Sequence, residues 1–168
     1  NTTFTSSVQS VLGASQQVIV SYLPTVSGEY KLHIMLGVQA LKNSPWTVDV
    51  KAGSLTPALC LVDGKGIREA TAGDLATFVI RARDQYSNQL SYGGFSFVAV
   101  TQDAKARRRQ SCTDMGTGEF NCNYLTASIG QLMLYVTQNS LHVRGSPFTV
   151  PVRPNSFNAK SSLLRGSS

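Results

Sequence analysis

The sequence predicts an all-β protein built from antiparallel Greek-key β-sandwich modules in tandem, and three observations lead there. Charged residues make up 14% of the 168, and polarity comes instead from Ser, Thr, Asn, Gln and 14 Gly, a mixture that suits short strands and frequent turns. Runs bearing Val, Phe and Tyr alternate apolar with polar residues and are separated by turn signals, the period-two pattern of half-buried strands. The chain also repeats itself at a spacing of 102 residues, about the length of one sandwich. Hydrophobic residues at 42% are enough for a packed core.

The repeat sets the domain organisation. Residues 16–50 overlay residues 118–152 without gaps: Tyr22 falls on Tyr124, Gly28 on Gly130, Leu32 on Leu134, Ser44-Pro45 on Ser146-Pro147, and Val50 on Val152. The period matches an immunoglobulin-like sandwich and is too long for a helical solenoid or a propeller blade. At the same offset residue 1 falls on Asp103, and Leu61 and Gly64 fall on Leu163 and Gly166. Residues 1–52 therefore read as the C-terminal half of a module, 53–153 as a complete one, and 154–168 as the first strand of a third. Half a sandwich leaves an apolar face open and is unstable alone, so its missing strands are expected from a longer chain or another source.

Within 53–153 the strands follow in order. Ala58–Asp63 reads as a short opening strand. In Thr77–Arg83, Phe78, Ile80 and Ala82 share the inner face. Phe97 and Ala99 point inward after Gly93-Gly94. Phe120, Cys122 and Tyr124 line the next strand, then Leu132, Leu134 and Val136, and Phe148, Val150 and Val152 close the core. Asp63-Gly64-Lys65-Gly66, Ala72-Gly73-Asp74, Tyr86-Ser87-Asn88, Gly116-Thr117-Gly118 and Gly145-Ser146-Pro147 supply the turns. Seven short strands at this spacing describe the sandwich. On the third strand Phe95, Val98 and Val100 make the outer face more apolar than alternation requires, and such a face near a sheet edge invites a covering strand or domain.

Net charge is +6, and the only dense block is Lys105-Ala106-Arg107-Arg108-Arg109. It reads either as a solvated loop between two strands or as a patch for an acidic partner, such as a phosphopeptide, an acidic protein tail or nucleic acid. His33 and His142 do not correspond in the repeat and have no Cys or carboxylate at ligand spacing, so metal and acid–base roles are not expected. Asp84 follows a strand and reads as a turn cap. Gly64-Lys65-Gly66 is too short, and lacks the following helix, for a phosphate loop. No run reaches the about 18 apolar residues of a membrane span. Asn1-Thr2-Thr3 fits a glycosylation acceptor, a pattern common by chance.

Cys60 reads as a buried small apolar residue. Cys112 and Cys122 flank Gly116-Thr117-Gly118. A three-residue loop sets Met115 against Glu119 and Cys112 against Cys122, within disulfide range; a two-residue loop puts the two cysteines on opposite faces. The overlaid positions in the first unit are Ser10 and Val20, so both cysteines are absent together. A disulfide favours an extracellular array and free thiols a cytoskeletal one.

The quoted turns and strands together resemble a filamin-type (ABP280-like) repeat. Val62-Asp63-Gly64-Lys65-Gly66-Ile67, Ala72-Gly73 and Phe78-Val79-Ile80-Arg81-Ala82-Arg83-Asp84 resemble its front half. Asn88-Gln89-Leu90 and Gly93-Gly94-Phe95-Ser96-Phe97 resemble its middle, and Gly116-Thr117-Gly118-Glu119-Phe120 its hairpin. Gly145-Ser146-Pro147-Phe148-Thr149-Val150 is similar to its closing signature, echoed by Asn43-Ser44-Pro45-Trp46-Thr47-Val48. The resemblance covers 57–152 and, in part, 16–50. It implies a non-catalytic spacer without cofactors that binds proteins by accepting an extended peptide between the third and fourth strands. The candidate surface is Phe95–Gln102 with Arg108–Thr113, and the candidate residues are Phe95, Val98, Val100, Arg107, Arg108 and Arg109. The expected partners are acidic or phosphorylated extended segments, acidic filaments and neighbouring repeats, with no small-molecule substrate and no nucleic acid. A cytoskeletal scaffold in the cytoplasm is preferred. The alternatives are an extracellular adhesion ectodomain, as in gamete-surface proteins with such repeats, and accessory repeats of a larger enzyme.

Overall fold

The structure, a computed structural model, describes residues 5–10 and 18–155. The opening strand expected over 154–168 lies outside them apart from its first two residues, as does Asn1-Thr2-Thr3. The chain divides into two compact units, Asn1–Gly53 and Ser54–Ser168.

The first unit holds β1 (Thr5–Ser10), β2 (Val18–Leu23), β3 (Gly28–Leu32), β4 (Met35–Leu36), β5 (Gln39–Ala40) and β6 (Trp46–Val50). Antiparallel pairs join β1 to β2, β3 to β6 and β4 to β5. The second unit holds β7 (Leu61–Asp63), β8 (Ala70–Thr71), β9 (Leu75–Arg81), β10 (Phe97–Gln102), β11 (Arg107–Ser111), β12 (Thr113–Asp114), β13 (Glu119–Leu125), β14 (Gly130–Gln138), β15 (Leu141–His142) and β16 (Phe148–Arg153). One sheet runs β12-β13-β9-β7; the other runs β11-β10-β14-β16-β8, with β15 on β14.

Alternation makes the core of the second unit. Phe78, Ile80 and Ala82 meet Phe120, Cys122 and Tyr124 on the inner face of one sheet; Phe97, Ala99, Leu132, Leu134, Val136, Val150 and Val152 line the other, and all are buried. Phe97 and Phe120 join the layers edge-to-face with ring centroids 4.7 Å apart. Burying each large apolar side chain contributes about 1.5–3 kcal/mol. Phe148 departs from expectation and is only half-buried, at the start of β16. The opening strand is also shorter than the apolar run suggests. Pro57 begins a 3-10 turn over Pro57–Leu59, and only Leu61–Asp63 pairs with β9.

Two polar groups are buried with their partners. Asp84 is buried, and its carboxylate accepts the backbone N–H of Tyr86 (2.9 Å) and Asn88 (2.9 Å) and the Asn88 side-chain amide (2.8 Å). It closes the turn after β9 as a capping Asp does. Tyr124 donates its hydroxyl to Gly66 O at 2.6 Å, tying β13 to the 3-10 turn Lys65–Ile67. Burial pushes the Tyr124 phenol up to about 12.

The 102-residue offset of the sequence reappears as backbone geometry. Gly28↔Val50 and Leu32↔Trp46 correspond to Gly130↔Val152 and Leu134↔Phe148, and Met35↔Ala40 corresponds to Thr137↔His142. Ser44-Pro45 and Ser146-Pro147 are both cis. The Ser44 hydroxyl accepts Ile34 N–H as the Ser146 hydroxyl accepts Val136 N–H. Burial differs sharply between the two units. Val20, Tyr22, Leu32, Ile34, Val48 and Val50 are only half-buried, whereas their counterparts Cys122, Tyr124, Leu134, Val136, Val150 and Val152 are buried. In the second unit β9 pairs with β13 and β10 with β14; no described strand of the first unit takes those places.

Candidate partner-binding edge

The Lys105–Arg109 block, which the sequence allows to be a loop, enters a strand. Asp103 starts the reversal: its carboxylate accepts Lys105 N–H at 2.7 Å and Ala106 N–H at 2.8 Å. Those two backbone donors are the main reason its pKa lies below the ordinary carboxylate range, with the Arg108 guanidinium a smaller contribution. The chain then runs back along β10 as β11, with Val98 opposite Ser111, Val100 opposite Arg109 and Gln102 opposite Arg107. At Cys112 it leaves this sheet and pairs with β13 as β12. The expected fourth strand is thus split between two sheets. Its first half fills the place beside β10 where the resemblance puts a partner, so the groove between third and fourth strands is closed by the chain itself. Among the described residues β11 is then the sheet edge.

Alternation sorts the side chains of β11 onto two faces. Arg107, Arg109 and Ser111 lie on the outer face, in rows with Gln102, Val100 and Val98, and beyond these with Met133, Tyr135 and Thr137 of β14. Val98, Val100, Met133 and Tyr135 are half-buried there. The Arg107 guanidinium lies 5.8 Å from the centroid of the Tyr135 ring, a cation–π placement. Arg108 faces the other way, on the side of Thr101, with its guanidinium 3.6 Å from Asp103, whose side chain is 3% exposed. Phe95 does not join Val98 and Val100. It precedes β10, and its ring centroid lies 6.4 Å from that of the buried Phe120. Of the six candidate residues, the structure brings together Val98, Val100, Arg107 and Arg109. It adds Tyr135 and Met133, which read from the sequence simply as outward positions of a core strand.

The backbone of β11 is similarly divided. Asp103 N–H bonds to Ala106 O, and Cys112 N–H bonds to Phe97 O. Because hydrogen-bonded and non-bonded pairs alternate along an antiparallel ladder, Arg108 and Gln110 bond inward to β10. The N–H and C=O groups of Arg107, Arg109 and Ser111 point out of the sheet.

Cys112 and Cys122 form a disulfide with Cα atoms 4.4 Å apart, across a hairpin in which Thr113 faces Asn121 and Met115 N–H bonds to Glu119 O. The cross-link fastens the point where the strand changes sheets. The first unit is in a different register: Ser10 faces Val18, not Val20. Cys60 is buried with its thiol toward Thr56 O, and burial raises its pKa. His33 and His142 are exposed; His142 Nδ1 lies 2.9 Å from the Ser146 hydroxyl. Among the described residues no His, Cys, Asp and Glu cluster could hold a metal, and no helix is long and apolar enough to cross a membrane.

Comparison with known proteins adds the family. The Filamin/ABP280 repeat model matches residues 54–149. The chain belongs to the filamin repeat family. Drosophila melanogaster Filamin-A is 25% identical over 131 residues, covering 78% of this chain and 6% of that protein. The flagellar outer arm dynein alpha chain of Chlamydomonas reinhardtii is 29% identical over 100 residues, covering 54% of this chain and 2% of that one. Human E3 ubiquitin-protein ligase TRIM45 is 28% identical over 110 residues, covering 64% and 19%. The chain therefore spans less than a fifth of these relatives. Among solved structures, the Lin-41 filamin domain shares the fold with a TM-score of 0.53 and 16% identity over 60% of this chain and 98% of that one. Yersinia pseudotuberculosis InvD gives 0.54 and 19%, covering 100% and 51%. The filamin repeat is an immunoglobulin-like β-sandwich, and the second unit has that fold.

Proposed function

We propose that this segment is a non-catalytic spacer and protein-binding element of a filamin-repeat array in a cytoskeletal assembly, with residues 53–153 a whole repeat and 1–52 the back half of another. An extended acidic or phosphorylated partner segment adds as a strand along β11. The observation that carries this reading is an open edge strand whose outward backbone groups stand beside Arg107 and Arg109. Neither guanidinium has a carboxylate within ion-pairing distance among the described residues. Backbone bonds would supply affinity and the arginines selectivity. The same charges keep two such edges from pairing with each other. The test is titration of a fluorescent nine-residue acidic peptide against the wild-type chain and the Arg107→Gln, Arg108→Gln, Arg109→Gln triple variant. The reading expects binding that weakens at least about tenfold and loses most of its salt dependence in the variant. Unchanged affinity and unchanged salt dependence would overturn it.

A second reading, an extracellular adhesion ectodomain, is favoured by the Cys112–Cys122 disulfide, because such bonds persist in oxidising compartments. Mapping the thiols of this segment in protein from its native source separates the two: Cys60 alone free supports the extracellular setting, and Cys60, Cys112 and Cys122 all free the cytoplasmic one.

A further inference from the structure

We propose that the β11 edge selects an acid-x-acid strand: two acidic or phosphorylated residues spaced two apart, read by Arg107 and Arg109 on the outer face of the sheet and not by Arg108. The inference rests on the edge-addition reading above and gives it a register.

In an added antiparallel strand, the residues that exchange backbone bonds with Arg107, Arg109 and Ser111 sit directly opposite them with their side chains on the same face. Their spacing is two, so a partner's first and third residues meet Arg107 and Arg109 while the second turns toward the Arg108 side. Arg108 is already committed, with its guanidinium 3.6 Å from the nearly inaccessible Asp103 carboxylate. Arg107 is held down over the Tyr135 ring, which directs its charge across the outer face. Val98 and Val100 continue the rows inward from Ser111 and Arg109. The outer face beside an incoming strand is therefore cationic, with Arg109 on the edge strand and the Arg107 guanidinium over Tyr135, and it also carries the half-buried Val98 and Val100. Two adjacent acids would place only one carboxylate on this face and turn the other toward the neutralised side.

The experiment uses the whole chain and three fluorescent seven-residue peptides. The first is Thr-Val-Glu-Thr-Glu-Val-Thr. The second has the same composition with the two Glu adjacent. The third is the first with N-methyl groups on the backbone nitrogens of both Glu residues. The expected result is that the first binds about threefold to tenfold tighter than the second, the worth of one opposite-charge cross-strand pair with charged hydrogen bonds. Arg107→Gln or Arg109→Gln should abolish that preference, while Arg108→Gln changes each Kd by less than about twofold. N-methylation should remove binding, because it deletes the donors that bond to β11. Equal affinity for the first two peptides, or a loss in Arg108→Gln as large as in Arg109→Gln, overturns the register while N-methyl sensitivity leaves strand addition standing. Binding that ignores N-methylation overturns strand addition itself. All these changes are made on exposed side chains or on the peptide, so none depends on a variant that fails to fold.

Discussion

Arg108 and Arg109 are neighbours in the chain but stand on opposite faces of one strand: Arg108 turns to the nearly inaccessible carboxylate of half-buried Asp103, and Arg109 lies beside Val100 on the outer face of the sheet. The division makes the basic block directional. The Lys105 and Ala106 backbone N–H groups hold the turn at Asp103, Arg108 is taken up by the same carboxylate, and its two flanking arginines remain for a partner.

The turn at Asp103 should carry a pH dependence of known sign. Its folded pKa is lowered, so its contribution is complete above the unfolded carboxylate value and is lost as pH falls through the folded value. Amide exchange of Lys105 and Ala106, whose N–H groups it accepts, should accelerate below about pH 4 beyond the intrinsic trend. Asp103→Asn should flatten that response.

Tyr124 should set the alkaline limit. Its pKa is raised to about 12 by burial, so stability from this group is complete below the unfolded value of about 10 and is lost as pH rises from there to about 12. Tyr124→Phe should remove that loss. It should also cost about 1–3 kcal/mol in urea unfolding at neutral pH, because Gly66 O loses its donor.

Asp84→Ala should be more damaging. It leaves the N–H groups of Tyr86 and Asn88 and the Asn88 amide without their acceptor, and urea unfolding should show a loss of about 3 kcal/mol or more.

Replacing Cys112 and Cys122 together by Ala should lower stability by about 2–3 kcal/mol. The two are 10 residues apart, and closing a loop of that size removes about this much chain entropy from the unfolded state. With the Cys112–Cys122 bond formed by oxidation in vitro, denatured, unreduced protein should titrate one thiol of this segment, Cys60, and reduced protein three.

Much of the sandwich was readable because burial writes itself into period two. Phe78, Ile80, Phe120, Tyr124, Leu134 and Val150 were each placed inward from alternation alone, and all are buried. Asp84 was readable because a capping Asp after a strand is local chemistry. The edge was not readable in the same way. Arg107-Arg108-Arg109-Gln110-Ser111 contains no apolar residue, so an edge strand with little to bury has no alternation to show. Grouping Phe95 with Val98 and Val100 broke the period-two count: Phe95 has the parity of the inward Phe97 and Ala99, and its ring lies toward the buried Phe120. The 3-10 turn at Pro57–Leu59 was hidden for the opposite reason: Ala58 and Leu59 are apolar without being in a strand.

Residue-resolved amide exchange along β11 tests the central claim most directly. In the free chain, Arg108 and Gln110 should be protected while Arg107, Arg109 and Ser111 exchange near the rate of an open backbone. Saturation with the alternating Glu peptide should then protect those three. Uniform protection of β11 in the free chain, or outward amides that stay fast when the peptide is bound, would contradict an open edge that accepts an acidic strand.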